Sequence, residues 1–532
     1  MSNWKPGSTG KQGYVGDKPS EVESYHLENI GPDGQVESAE QAFVELASIN
    51  LRLALINIWS MVSALGFGFA AAIIASSLGQ PNLATYFEFA SRSNVSGITG
   101  AIAGLFNVGG FFGVLSTPFV SDRWGRKSSF WFASFFLLLG AGLGAGSINV
   151  TMLILARFFT GYGAWSFVVC TIVYQQELAP ATRRGVLGGS VGVAVVIGYC
   201  LAAWVGVGFF FLAAKDNWRA PLVLQAACPI FTLCTIHLVP ESPRWLAGKG
   251  QTDKALAVLK YVHHSKEDPG FAVARAEHFQ IVQQVALDRT LPSSWLSMFT
   301  KYRRRSFAAV LVTGANMLCG TQVIANYGPL LYAALGFTAE QSLLIAAGWI
   351  TLSVALSIIA ASVVDKVGRV PLLVGGSVAC ALIWSVYTAL VAEYGALTNT
   401  NLAGKRAAVA MLFVFLIGYE LAACTQYLYI GEIFPTHIRV KGVALGLMML
   451  NLMTIWITES APTAADTIGW KYYLVFIFCC VVCAVAQFLL IPETKGIPLE
   501  EVAEIFGDAK DVAIHAKDIA VNPHTAEVVH RV

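Results

Sequence analysis

Long apolar stretches alternate with short polar ones along this chain. A helix rises about 1.5 Å per residue, so about 20 apolar residues cross the roughly 30 Å of hydrocarbon in a bilayer. Twelve stretches reach that length. Six lie near Leu53–Ser77, Ile98–Val120, Ser129–Ser147, Met152–Val173, Val186–Ala213 and Pro221–Val239. Six more lie near Phe307–Ala334, Leu343–Val364, Leu372–Ala392, Ala407–Ile430, Val443–Ala461 and Tyr472–Ile491. The pattern predicts an all-α membrane protein of 12 transmembrane helices, with six-helix bundles at 51–239 and 306–491. Polar tails are expected at 1–50 and 492–532, and a polar linker at 240–305.

Inside the linker, Ala255, Leu256, Val258, Leu259 and Val262 recur at helical spacing after Thr252, read here as an N-cap. Short amphipathic helices are expected there. The linker holds eleven Lys or Arg against six acids, which favours the anionic cytosolic leaflet.

Composition agrees with a lipid environment. The chain of 532 residues is 55% hydrophobic and only 13% charged, against roughly 25% charged in soluble domains. A net charge of +2 gives no reason to expect a nucleic-acid partner. All ten cysteines fall in apolar runs, where they read as packing residues. Cys480 and Cys483 have metal-ligand spacing but no His or acidic companion, so no metal or cofactor is expected. The residues up to Glu45 are polar, which predicts a disordered cytosolic tail and no cleavable signal peptide.

Positive charge orients the spans. Arg123, Arg126 and Lys127, then Arg183 and Arg184, Lys366 and Arg369, and Arg439 and Lys441 all follow even-numbered spans. That side, with both termini and the linker, is expected in the cytosol. Asn94-Val95-Ser96 in the first outer loop matches the N-glycosylation acceptor pattern, which makes Asn94 the candidate glycan site.

The loop motifs also repeat. Asp122-Arg-Trp-Gly-Arg-Lys127 is echoed by Asp365-Lys-Val-Gly-Arg-Val370, and Glu177 through Arg184 by Glu432 through Arg439. Pro240-Glu-Ser-Pro-Arg244 has a shorter echo in Pro492-Glu-Thr-Lys495. Three echoes in one order mark the halves as duplicates, and six spans per half gives both the same topology. Carriers built this way hold solute near the midplane and rock one half against the other.

With these motifs the chain resembles the sugar porter family of the major facilitator superfamily, in its fungal branch, over Leu51–Gly507. The resemblance implies a cytosolic latch, closed when the carrier faces outward, built from Asp122, Arg123, Arg126, Glu177, Arg184, Glu241, Arg244, Asp365, Arg369, Glu432 and Arg439. The acids are expected to bridge to arginines on neighbouring helices, with Asp122 and Asp365 capping helix N-termini.

A sugar needs amides and hydroxyls in a cavity with aromatic rings against its apolar face. Asn316, Gln322, Asn326, Tyr327, Glu420 and Tyr427 are the candidates, while Gln426, Asn451 and Trp456 either line the cavity or pack between helices. Departures from the family are specific. Ala70 replaces the carboxylate of proton-coupled relatives, Gly192 and Ser353 replace amides, and Asn316 and Met317 replace adjacent glutamines. Arg157 loses its family partner at Ala70. Glu420 or Glu459 is left to pair with it or to carry a proton, or Glu459 simply sits at the outer lip.

The expected function is plasma-membrane carriage of a sugar or polyol, with protons as a candidate co-substrate through Arg157 and Glu420. Loss of the carboxylate at Ala70 favours facilitated diffusion. The altered amides leave open a quinate-like organic acid or a secondary metabolite as cargo. A non-transporting nutrient receptor is the remaining reading, though the tail after Pro492 is short for one. No ATP-binding Gly-x-x-x-x-Gly-Lys-Ser/Thr loop is present and no enzyme is expected.

Overall fold

The computed structural model describes residues 51–89, 94–178, 184–211, 217–263, 271–395, 401–495, 505–507, 519–521 and 528–530. The expected N-terminal tail at 1–50 and most of the C-terminal tail lie outside the described residues.

Within a bilayer no water satisfies backbone N–H and C=O groups, so each apolar run bonds to itself as a helix. The first half comprises α1 (Leu51–Leu78), α2 (Val95–Trp124), α3 (Arg126–Ala145), α4 (Val150–Leu178), α5 (Arg184–Phe210) and α6 (Arg219–Leu238). The second comprises α7 (Arg303–Ala334), α8 (Ala339–Val367), α9 (Arg369–Tyr394), α10 (Leu402–Glu432), α11 (Arg439–Ile468) and α12 (Tyr473–Leu490). α7 is broken at Cys319 and Gly320 into Arg303–Leu318 and Thr321–Ala334.

α11 and α12 form one helical stretch of 52 residues, Arg439–Leu490. It folds back near Gly469, because Tyr472 Oη lies 3.2 Å from Ser460 Oγ, whereas a straight helix would hold those residues about 18 Å apart. Counting the two arms separately gives twelve spans among the described residues.

Small residues bring helices together where lipid supplies no hydrophobic drive. α2 packs on α4 through Gly109 and Gly113, which face the carbonyls of Phe158 and Tyr162, while Gly161 of α4 faces that of Phe106. Between the halves, α2 lies along α11 and α5 along α8.

The linker contains helices Pro243–Gly248, Thr252–Val262, Ala272–Asp288 and Trp295–Phe299. Ala255 and Leu259 pack against Leu246, Ala247, Ala274 and Ile281. Thr252 is the first helical residue and Gln251 holds the cap position without a side-chain bond, so the expected Thr252 cap is corrected by one residue. In the C-terminal tail Ile519–Val521 pairs antiparallel with Val528–His530.

A side chain on Gly161 must push α2 away from α4. Overpacking a core costs about 1–3 kcal/mol or more. Gly161→Leu is therefore expected to lower the melting temperature in detergent clearly, while Leu at Gly142, which faces open space, leaves it near wild type.

Candidate functional site

Each half closes its basic end with the same three-part bracket. In the first, the Arg126 guanidinium meets the Glu177 carboxylate in a two-pronged contact, Nε–Oε2 at 2.8 Å and Nη2–Oε1 at 2.6 Å. Glu241 then accepts the backbone N–H groups of Arg126 at 2.9 Å and Lys127 at 3.3 Å. Those are unpaired donors at the start of α3, where a negative charge is favoured. The second half repeats this. Arg369 meets Glu432 at 2.8 Å, and Glu493 accepts from the backbone of Arg369 and Val370, each at 2.9 Å.

The glycine of each motif makes room for the capping acid. Gly125 has φ +100° and Gly368 φ +115°, a region that disfavours side chains. A Cβ on Gly125 would also lie 2.5 Å from Glu241 Oε2, and one on Gly368 2.9 Å from Glu493 Oε2. Burial alone would raise the Glu493 carboxyl, but the N–H groups of Arg369, Val370, Lys495 and Thr494 hold it below the ordinary carboxylate range.

Several latch assignments need correction. Asp122 sits in the last turn of α2 and caps no N-terminus; it lies 3.3 Å from Arg126 and is half exposed. The capping acids are Glu241 and Glu493. Arg123 lies over the Trp124 ring and makes no ion pair among the described residues. Arg244 adds positive charge near Glu177, and Arg439 donates to the Phe434 carbonyl at 3.2 Å. The side chains of Arg184 and Asp365 lie outside the described residues. The halves touch at this end where Gln176, beside Glu177, packs on Gly431, beside Glu432. At the opposite end Ser96 Oγ bonds to Asp466.

Between these two contacts lies a cavity of about 910 Å³, counting space open to solvent. The four central helices of each half line it: α1, α2, α4 and α5 with α7, α8, α10 and α11. Of the sequence candidates, Gln322, Asn326, Glu420 and Tyr427 face it. Asn326 donates to the Gln322 side chain at 3.1 Å, one helical turn away, so the two amides are aligned. Glu420 accepts from Ser353 of α8.

The remaining candidates lie elsewhere. Tyr327 donates to the Thr458 carbonyl at 2.8 Å and faces a second, outer cavity. Asn316 and Gln426 are buried, off the cavity wall, with both amide atoms lacking partners. Asn451 is buried against α2, and Trp456 is 51% exposed on the outside of the bundle. Residues missed in the sequence supply most of the aromatic wall: Phe67, Phe106, Trp165, Tyr199, Trp349 and Tyr419. At Gly192 a Cβ would meet nothing within 4 Å, so the lost amide leaves open space.

Arg157 is buried without a carboxylate. Its Nη1 donates to the Ala70 carbonyl at 2.9 Å and its Nε to that of Ile102 at 3.3 Å, under the Phe106 ring at 4.4 Å. The pairing with Glu420 or Glu459 is not made. Glu459 instead packs on Gly100 and Gly104 of α2.

Comparison with known proteins agrees with this geometry. The family model described as "Sugar (and other) transporter" matches residues 56–506. The MFS-type transporter criB of Aspergillus cristatus is 28% identical, over 85% of this chain and 92% of its own. High-affinity glucose transporter 1 of Candida albicans is 25% identical over 84% of each. Among solved structures, the proton:xylose symporter XylE bound to 6-bromo-6-deoxy-D-glucose aligns with a TM-score of 0.72 at 21% identity, over 85% of this chain and 99% of that one. A partially occluded inward-open conformation of XylE from E. coli gives 0.71 at 20% identity, over 84% and 99%. At these identities the structures establish the shared fold.

Two measurements test the brackets. Arg126 and Glu177 side chains are 9% and 12% exposed, and removing one partner of a buried pair costs about 3–5 kcal/mol. Glu177→Gln should therefore lower the melting temperature sharply. For Glu493 the folded carboxyl sits below its unfolded value of about 4.3. Its contribution is complete above that pH and lost as pH falls through the lower folded value. Below pH 4.3 wild type should lose stability more steeply than Glu493→Gln, read from melting temperature against pH.

Proposed function

Because the chain belongs to the sugar (and other) transporter family, we propose that it is a secondary carrier for a neutral sugar or related polyhydroxy solute. The solute sits in the central cavity while one half rocks against the other. The observation that carries this reading is the cavity's charge. Among the described residues no Lys or Arg lines it, and its one acid is Glu420. An organic anion would meet a carboxylate with no compensating cation, whereas a neutral polyol offers hydroxyls to Glu420, Gln322 and Asn326 and an apolar face to the rings. This favours the sugar over the organic-acid reading. The name of the Candida albicans relative, a glucose transporter, points the same way.

Transport runs downhill in this proposal. The Arg157 guanidinium is satisfied by the backbone carbonyls of Ala70 and Ile102 and needs no titrating acid. Glu420 serves as a hydroxyl acceptor. The basic end faces the cytosol at the plasma membrane by the charge rule, with both termini inside. The two brackets form the inner gate's frame, fixing the ends of α4 and α10 where Gln176 meets Gly431. Asn94 faces outside as the glycan acceptor; its Oδ1 caps α2 through Gly97 N–H at 3.3 Å.

In proteoliposomes, counterflow of neutral aldoses and polyols is expected, with none of quinate or other carboxylates; exchange of carboxylates alone would overturn the proposal. An imposed proton gradient should not drive uphill accumulation. Glu420→Gln should weaken solute binding about tenfold, as for loss of a hydrogen bond to a charged group, without changing that gradient independence.

A further inference from the structure

The central cavity has two unlike walls. Polar side chains reach it mainly from the second half: Thr321, Gln322 and Asn326 of α7, Ser353 of α8 and Glu420 of α10. The first half presents chiefly apolar ones, Phe67, Ala71, Phe106, Val195 and Val196. Its exceptions offer little to a solute. Asn107 is 5% exposed and its Nδ2 donates to the Ala103 carbonyl, one turn back on its own helix, at 3.4 Å. Trp165 Nε1 is sealed from solvent, which leaves the Tyr199 hydroxyl as the clearest polar group on this wall.

α5 carries the middle of the apolar wall. Gly192, Val195, Val196 and Tyr199 line the cavity at i, i+3, i+4 and i+7, the spacing of one helix face. At the first of these positions a Cβ would meet nothing within 4 Å, so the wall has an open recess there, one turn from two valines. A sugar whose hydroxyls bond to the second half turns another edge towards this recess. A hydroxyl placed in it would give up water and gain no partner, which is unfavourable. A methylene placed in it leaves water, which tightens binding about fourfold.

We propose that the solute this carrier binds best is an uncharged sugar bearing an apolar substituent, an alkyl ether or glycoside, with free hydroxyls on the second half and the substituent in the recess at Gly192. The proposal rests on the reading of the cavity as a polyol site and narrows the solute class within it. Unsubstituted aldoses are carried too, with the recess unused.

The test uses counterflow in proteoliposomes of D-glucose and its mono-O-methyl and mono-O-propyl ethers, one for each hydroxyl. Wild type, Gly192→Leu, Gly192→Ala and Gly208→Leu are compared. Gly208 lies on the same helix and is also open, but it is off the cavity wall. The quantity read is the ratio of each ether's KM to that of D-glucose within one protein, so a general loss of binding does not count. In wild type at least one propyl ether should have a KM tenfold or more below that of D-glucose, with its methyl ether in between. Gly192→Leu fills the recess and should abolish that preference, Gly192→Ala should reduce it, and Gly208→Leu should leave it as in wild type. Should the Leu variant at Gly192 fail to fold, the Ala variant decides. Propyl ethers that are carried no better than D-glucose, or a preference that survives both Gly192 substitutions, would overturn the proposal. Absence of exchange for every aldose, polyol and ether would overturn the polyol reading itself; exchange of aldoses without the ether preference removes only the narrower claim.

Discussion

A carboxylate placed over the first N–H groups of a helix, beside an arginine paired to a second carboxylate, holds each half of this protein together. Helix starts leave donors unsatisfied, and near a membrane surface water serves them unevenly. Glu241 fills that role for α3 and Glu493 for α9. The arginine that begins each helix then reaches sideways to the end of α4 or α10. Three segments distant in sequence are fixed at one point, and the glycine before the arginine is required because the capping acid occupies the space of a Cβ.

Rigid halves give the cavity its meaning. Its wall is shared by the two halves, and among the described residues the contacts that join them at its ends include Gln176 on Gly431 at one and Ser96 with Asp466 at the other. Exposed or partly exposed polar contacts contribute about 0–1 kcal/mol each, which suits ends that open and close in turn. The stronger bonds lie inside each half. Among the described residues the cavity wall carries one carboxylate and many rings, a lining suited to hydroxyl geometry and stacking more than to charge.

The architecture was legible in the sequence because both of its signals are coarse. Span length survives any error of a few residues, and the bracket motifs sit in loops where charged residues stand out against apolar flanks. The cavity was less legible for a physical reason. A helix that is apolar all round carries no phase, so Trp165, which faces the cavity, and Trp456, which faces outward, look alike in the sequence. Amide count misled in the same way: Gln322 and Asn326 face the cavity, while Asn316 and Gln426 are buried behind its wall. Asp122 looked like a cap because acids favour helix starts, but the chain places it at a helix end, and the cap came from Glu241, more than a hundred residues later. Arg157 was expected to need a carboxylate, and backbone carbonyls from two neighbouring helices satisfy it instead.

Spin-label distances test the central claim that each half moves as a body held by its bracket. Labels at Leu51 and Arg123 report within the first half, at Lys366 and Leu489 within the second, and at Arg123 and Lys366 between them; all four positions are exposed. Adding a transported solute should shift the distance between halves by several ångströms while both distances within halves stay fixed and narrow. Broadening or shifts within a half as large as those between halves would contradict the account.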